Sequence, residues 1–150
     1  MGTRYRGTGR EVRALNAFIK LMRAAESVSG RVEAPLAQLG LSVSQFGVLD
    51  ALMHIGPMHQ KDLSGKILKS RGNITMVINN LEKRGLVKRV RDAEDRRHYL
   101  VKITEKGLRL IGPYFPGHVA RIAEEMGVLT PDEQEELGRL CKKLGLKKER

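Results

Sequence analysis

Residues 60–104 read QKDLSGKILKSRGNITMVINNLEKRGLVKRVRDAEDRRHYLVKIT, and the order of patterns in this run decides the fold. Leu63 and Ile67 stand four apart in its first part, and Ile74, Ile78 and Leu81 recur at helical spacing in its second. Each part is therefore expected to be a helix with one apolar face. Between them, Ser70 can accept a hydrogen bond from the free backbone N–H groups that open the second helix. Lys83 and Arg84 put cations in that helix's last turn, and Gly85 supplies the left-handed residue by which the chain leaves it. Residues 86–91 are β-branched and basic, 92–97 are polar, and 98–103 alternate. Two strands joined by a charged loop make a β-hairpin.

The far face of the second helix carries Arg71, Asn73, Thr75, Met76 and Asn79, with no acid before Glu82. Asn pairs bidentately with adenine and Arg with guanine in the major groove, so this face suits base-edge readout. With these flanks the run resembles the winged helix-turn-helix of the MarR family of bacterial and archaeal transcription regulators. The likeness is carried by LEKRGLVKR at 81–89, DAEDRR at 92–97 and ITEKG at 103–107. A helix-turn-helix alone is shared with winged helices that bind proteins, whereas Asp95 and Arg97 between such flanks are more specific.

The resemblance implies a mainly α fold with a small antiparallel β-hairpin wing, of class α+β. Length points to one domain over 1–150, and the Gly, Thr and Arg of 1–10, without an apolar period, to a flexible basic arm; the resemblance adds dimerisation helices at 11–35 and 105–146 and a winged helix-turn-helix head at 42–104. It assigns Arg97 to a minor groove, with Asp95 fixing the guanidinium. Together with the polar helix face, this gives an expected DNA-binding set of Lys69, Ser70, Arg71, Asn73, Thr75, Met76, Asn79, Lys88, Arg91, Asp95, Arg96 and Arg97. Lys69 and Lys88 are expected to meet phosphate. MarR-like dimers often bind small anionic aromatic effectors in a cleft between the dimerisation region and the head. By position, Arg23, Met53, His54 and His118 are candidates for that role, and packing or solvent contact accounts for them equally well.

Charge agrees with a polyanionic partner. Across 150 residues, 28 Lys and Arg outweigh 17 Asp and Glu, a net charge of +11. Twelve basic and five acidic residues fall within 60–103, so most of the excess lies beside the helix and wing. Double-stranded DNA is the partner this distribution favours over a merely solvated surface. No apolar run approaches the roughly 20 residues of a membrane span, and no secretory signal is recognisable, so the expected location is the cytoplasm.

Cys141 is the single cysteine and cannot form an internal disulfide. The peroxide-sensing branch of the family uses a cysteine in the first helix, which is lacking here, so Cys141 is expected to be a buried, inert thiol. His54, His59, His98, His118 and Cys141 lack metal-ligand spacing. No metal, cofactor or catalytic grouping is expected, and hence no enzyme.

Outside the head, Val12, Leu15, Ile19 and Met22, widened by Phe18 and Ala25, predict a helix from Glu11 to before Pro35. Ser42 and Gln45 have capping-box spacing ahead of Phe46, Leu49, Leu52 and Met53, and Gly56-Pro57 stops that helix. A short extended piece near Met58 is expected to join the hairpin. Thr104 caps a helix beginning at Glu105, and Gly112-Pro113 with Pro116-Gly117 predict a break in what is one long helix in MarR-like proteins. Thr130-Pro131-Asp132-Glu133 starts the last helix, which carries Leu137, Leu140 and Leu144. Residues 124–136 hold six acids and no base, so they belong away from DNA. The terminal apolar stripes exceed what a small head can cover and predict a homodimer. The expected function is a ligand-responsive repressor on a pseudo-palindromic operator. A winged-helix protein–protein interaction module and a non-specific DNA-binding chromatin protein are the alternatives.

Overall fold

The computed structural model describes residues 2–67 and 71–146. The chain forms two compact units, one of Glu33–Pro116 and one of Met1–Val32 with Gly117–Arg150.

In the first unit, a 3-10 turn at Ala34–Leu39 ends on Gly40, whose φ of 66° is the left-handed conformation that glycine adopts most readily. Helix α2, Val43–Ile55, follows; its Ser42 and Gln45 form the expected capping box. Gly56 then turns the chain at φ 104° into strand β1, Met58–His59. Helices α3, Gln60–Lys66, and α4, Arg71–Lys83, form the helix-turn-helix pair. Gly85, at φ 73°, ends α4 as expected, with Leu86 N–H bonding back to the Leu81 carbonyl at 2.9 Å.

Strands β2, Val87–Arg91, and β3, Tyr99–Ile103, make the hairpin. β1 adds to β3, giving a three-stranded antiparallel sheet in the order β1-β3-β2, with Met58 opposite Val101 and Val87 opposite Ile103. Its core joins Phe46, Val48, Leu49 and Leu52 to Leu63, Ile74, Ile78, Leu81, Val101 and Ile111. Thr104 caps α5, Glu105–Ile111. Its hydroxyl both donates to the Gly85 carbonyl at 2.6 Å and accepts from Gly107 N–H at 3.1 Å. The two glycines of the LEKRGLVKR and ITEKG runs are thereby joined through one side chain.

In the second unit, α1, Gly9–Glu33, starts two residues before Glu11. Thr8 N–H donates to Glu11 at 2.9 Å and Glu11 N–H donates to Thr8 at 3.2 Å, a capping box hidden in a segment that reads as arm. Thr3 N–H also donates to Asn16 at 2.6 Å, tying the preceding segment to α1. Helices α6, Phe115–Met126, and α7, Pro131–Gly145, follow; the expected break falls at 112–114 alone, since Pro116 and Gly117 lie in the first turn of α6, where a proline's missing N–H costs no helical bond. Thr130 and Glu133 cap α7 reciprocally. Neither α6 nor α7 contains a buried residue.

One expectation is corrected here. Cys141 is exposed, not buried. It shares the stripe of Leu137, Leu140 and Leu144, which the single chain leaves 38, 48 and 60% exposed. Among the described residues, no single helix is long and apolar enough to cross a membrane.

Candidate nucleic-acid interface

The burial of Ile74, Ile78 and Leu81 fixes the rotation of α4. That rotation turns Asn73, Met76 and Asn79 to solvent. Thr75 departs from the expected exposed face: it is half-buried, and its hydroxyl accepts a hydrogen bond from Gln60 Nε2 of α3. It stands three residues from Ile78 and so borders the buried stripe. Arg71 opens α4, while its side chain, Lys69 and Ser70 lie outside the described residues.

The hairpin's two-residue period sorts its cations onto two faces. Arg89 follows buried Val87 on the core face, directly opposite Val101. Its Nη1 donates to Glu82 Oε1 and its Nη2 to Asn79 Oδ1, both at 2.8 Å. Lys88 stands on the other face, exposed and opposite Lys102. The Arg91 guanidinium lies 4.8 Å over the Tyr99 ring and donates to the Arg96 carbonyl.

Asp95 and Arg97 meet as the motif implied. Arg97 Nε donates to Asp95 Oδ1 at 3.0 Å and Nη2 to Oδ2 at 3.1 Å, and the Arg97 backbone N–H reaches Oδ1 at 3.2 Å. The side-chain bonds first, then the backbone bond, hold the Asp95 carboxyl below its usual range, and Asp95 raises the Arg97 guanidinium in turn. The arginine side chain is nonetheless 85% exposed. Arg96 beside it is also exposed.

Crossed backbone bonds of 3.0 Å, Asp92 N–H to the His98 carbonyl and His98 N–H to the Asp95 carbonyl, close the loop. His59 Nε2 lies 3.1 Å from Asp92 Oδ2 and ties the loop to β1. A cavity of about 660 Å³ between α3 and the hairpin is lined by His59, Lys61, Arg89, Arg97, His98 and Tyr99. Among the described residues, Asp62 is the one acid in its lining.

The residues expected to meet an effector fall in separate units. Met53 is half-buried and His54 exposed in the head. His54 Nδ1 lies 2.7 Å from Asp50 Oδ1, and its ring is 4.4 Å from that of Phe115. His54 and Phe115 line a cavity of about 500 Å³ with Asp50, Lys66 and Ile67, and Met53 is not part of it. Arg23 is exposed on α1 and His118 half-buried on α6, both in the other unit. Among the described residues, no group of three or more His, Cys, Asp or Glu is arranged to hold a metal ion.

Sequence reading missed Gln60, Glu82 and Arg89. The signal for Arg89 was its spacing: two residues after Val87 in a strand, it had to share the core face.

A model of the MarR family matches residues 39–98. The HTH-type transcriptional regulator MhqR of Bacillus subtilis (strain 168) is 36% identical over 134 residues, covering 89% of this chain and 92% of that protein. Among solved structures, BpsR of Bordetella bronchiseptica, whose DNA binding is regulated by 6-hydroxynicotinic acid, superposes with a TM-score of 0.75 at 26% identity, over 85% of this chain and 91% of that one. The fold is also that of Sco3205 of Streptomyces coelicolor, a MarR family regulator solved in complex with DNA, with a TM-score of 0.81 at 22% identity, over 96% of this chain and 92% of that one. The chain belongs to the MarR family of winged-helix, DNA-binding transcription regulators.

Proposed function

We propose that the protein is a ligand-responsive repressor that binds a pseudo-palindromic operator as a homodimer. In this reading, residues 42–104 are the DNA-binding head, and residues 11–35 and 105–146 supply the dimer contacts. Asn73, Met76 and Asn79 of α4 enter the major groove with Arg71, Thr75 lies at the edge of the contact, and Lys69, Ser70, Lys88, Arg91 and Arg96 meet the backbone. The observation that carries the reading is the Asp95–Arg97 fork, a cation held on a wing beside a helix face that has no acid before Glu82. A narrow minor groove concentrates negative potential that attracts an inserted arginine. The test is the ratio of specific to non-specific duplex affinity at one stated salt concentration. A large ratio supports an operator-binding regulator, DNA binding without preference fits a chromatin protein, and no DNA binding fits a protein-interaction module.

Dimerisation is supported by the uncovered apolar stripes of α1, α6 and α7, including Phe18, Met22, Val119, Leu140 and Leu144. For the effector, the cavity beside His54 offers an aromatic face in Phe115 and a cation in Lys66, which suits a small anionic aromatic molecule. That BpsR responds to 6-hydroxynicotinic acid is consistent with this class. Such a ligand should lower operator affinity, and His54→Ala should blunt its effect in an anisotropy titration. An unchanged response in that variant would move the effector site elsewhere.

A further inference from the structure

We propose that Arg89 is a specificity-determining residue, which fixes the Asn79 amide as a hydrogen-bond donor and so makes Asn79 select guanine over adenine. The inference rests on the reading of α4 as the base-contacting helix. An asparagine amide is ordinarily ambiguous, since its oxygen and nitrogen are interchangeable in shape. Here the choice is forced. Arginine has only donors, so the amide atom 2.8 Å from Arg89 Nη2 must be the oxygen.

The guanidinium is itself held in place. Its other arm is bonded at 2.8 Å to Glu82, three residues after Asn79 on α4, and the Arg89 backbone N–H reaches the same carboxylate at 3.3 Å. Its strand position opposite buried Val101 leaves the side chain only 24% exposed. Asn79 therefore presents its NH₂ group to a partner, while its oxygen sits beside a cation.

Bidentate recognition of adenine needs both ends of the amide, the nitrogen giving a proton to N7 and the oxygen receiving one from N6–H. The second lone pair of the Asn79 oxygen remains, but a neighbouring guanidinium repels the partial positive charge of adenine N6–H. Guanine offers N7 and O6, two acceptors side by side, which an NH₂ group satisfies without the oxygen. A residue on the wing strand thus sets what a residue on the recognition helix can read.

The experiment selects binding sites from a randomised duplex pool with the full-length protein, then measures single-base variants of the selected site by anisotropy at fixed salt. Asn79→Ala identifies the base pair that Asn79 reads. There the wild type should prefer guanine, and Arg89→Met, which keeps the length but removes the donors, should move the preference toward adenine by roughly 5- to 100-fold. Arg89→Lys restores a donor and should recover the guanine preference. The double variant Arg89→Met with Asn79→Ala should match Asn79→Ala in preference. Circular dichroism checks that each variant folds, and Glu82→Gln, which loosens Arg89 without touching the strand, should shift the same base pair in the same direction. A wild-type adenine preference at that pair, or one that Arg89→Met leaves unchanged, would overturn the inference while leaving α4 as the reading helix. If Asn79→Ala weakened every sequence alike, Asn79 would be a phosphate contact, and the inference and the base-reading role of this residue would fall together.

Discussion

The Arg97 side chain stands 85% in solvent, yet its guanidinium is held in one direction by the two hydrogen bonds it donates to the Asp95 carboxylate. A free arginine on a loop would lose rotamer freedom on entering a groove, and a carboxylate that orients it beforehand removes part of that cost. Asp95→Ala makes the protein more positive, so net charge alone predicts tighter DNA binding. Pre-orientation predicts weaker operator binding, with Arg97→Ala losing at least as much and the double variant losing less than the sum of the singles. Titration at fixed salt separates the two, and tighter binding by Asp95→Ala would leave only charge at the wing. The Asp95 carboxyl is held below its usual range by the Arg97 side chain and then its backbone N–H. A depressed carboxyl contributes above its ordinary pKa and loses that contribution only as pH falls through the depressed value. The affinity gap between wild type and Asp95→Ala should accordingly persist down to about pH 5 and close only in stronger acid. A gap that closed above about pH 5 would contradict this role of the Asp95 charge.

At the scale of elements, α5 packs on the hairpin through a glycine that cannot be replaced freely. A Cβ on Gly107 would stand 2.4 Å from the Leu86 carbonyl oxygen and 2.7 Å from the Ile103 side chain, where α5 packs on the start of β2. Gly107→Ala should lower unfolding stability by about 1–3 kcal/mol, measured by urea denaturation, whereas Gly138→Ala, with nothing near its Cβ, should not destabilise. Equal loss in both would mean that helix–strand packing at Gly107 is looser than described. This contact was not legible in the sequence, although the ITEKG run around it was. What could be read were features with a local cause: the Ser42 and Thr130 capping boxes, the Gly85 exit, the break after Ile111, and the apolar period of α4. What could not be read came from neighbours distant in the chain. Thr75 looked exposed until Gln60 was brought against it from α3, and Arg89 looked like another surface cation until β2 was laid beside Asn79 and Glu82. The Thr8–Glu11 box was a local signal concealed by the arginines and glycines around it. Burial of Cys141 was expected because a free cysteine commonly serves as a small apolar residue, but the stripe it shares is left uncovered by the single chain.

At the scale of the whole molecule, α1, α6 and α7 leave large apolar residues open, among them Phe18, Met22, Val119, Leu140 and Leu144, and in the proposed reading these are the dimer contacts. Sedimentation should show a dimer at micromolar concentration. Leu140→Glu with Leu144→Glu should shift it to monomer and weaken operator binding, since two half-sites are then engaged separately. A wild-type monomer that bound a palindrome tightly would exclude this arrangement. Sequence-specific recognition of duplex DNA is the central property proposed for the molecule, and it is measured by titrating the full chain, at one fixed salt concentration, with its selected palindrome and with a scrambled duplex of the same composition. The prediction is a preference of about 10³-fold or more for the palindrome, while equal affinity for the two duplexes would contradict it.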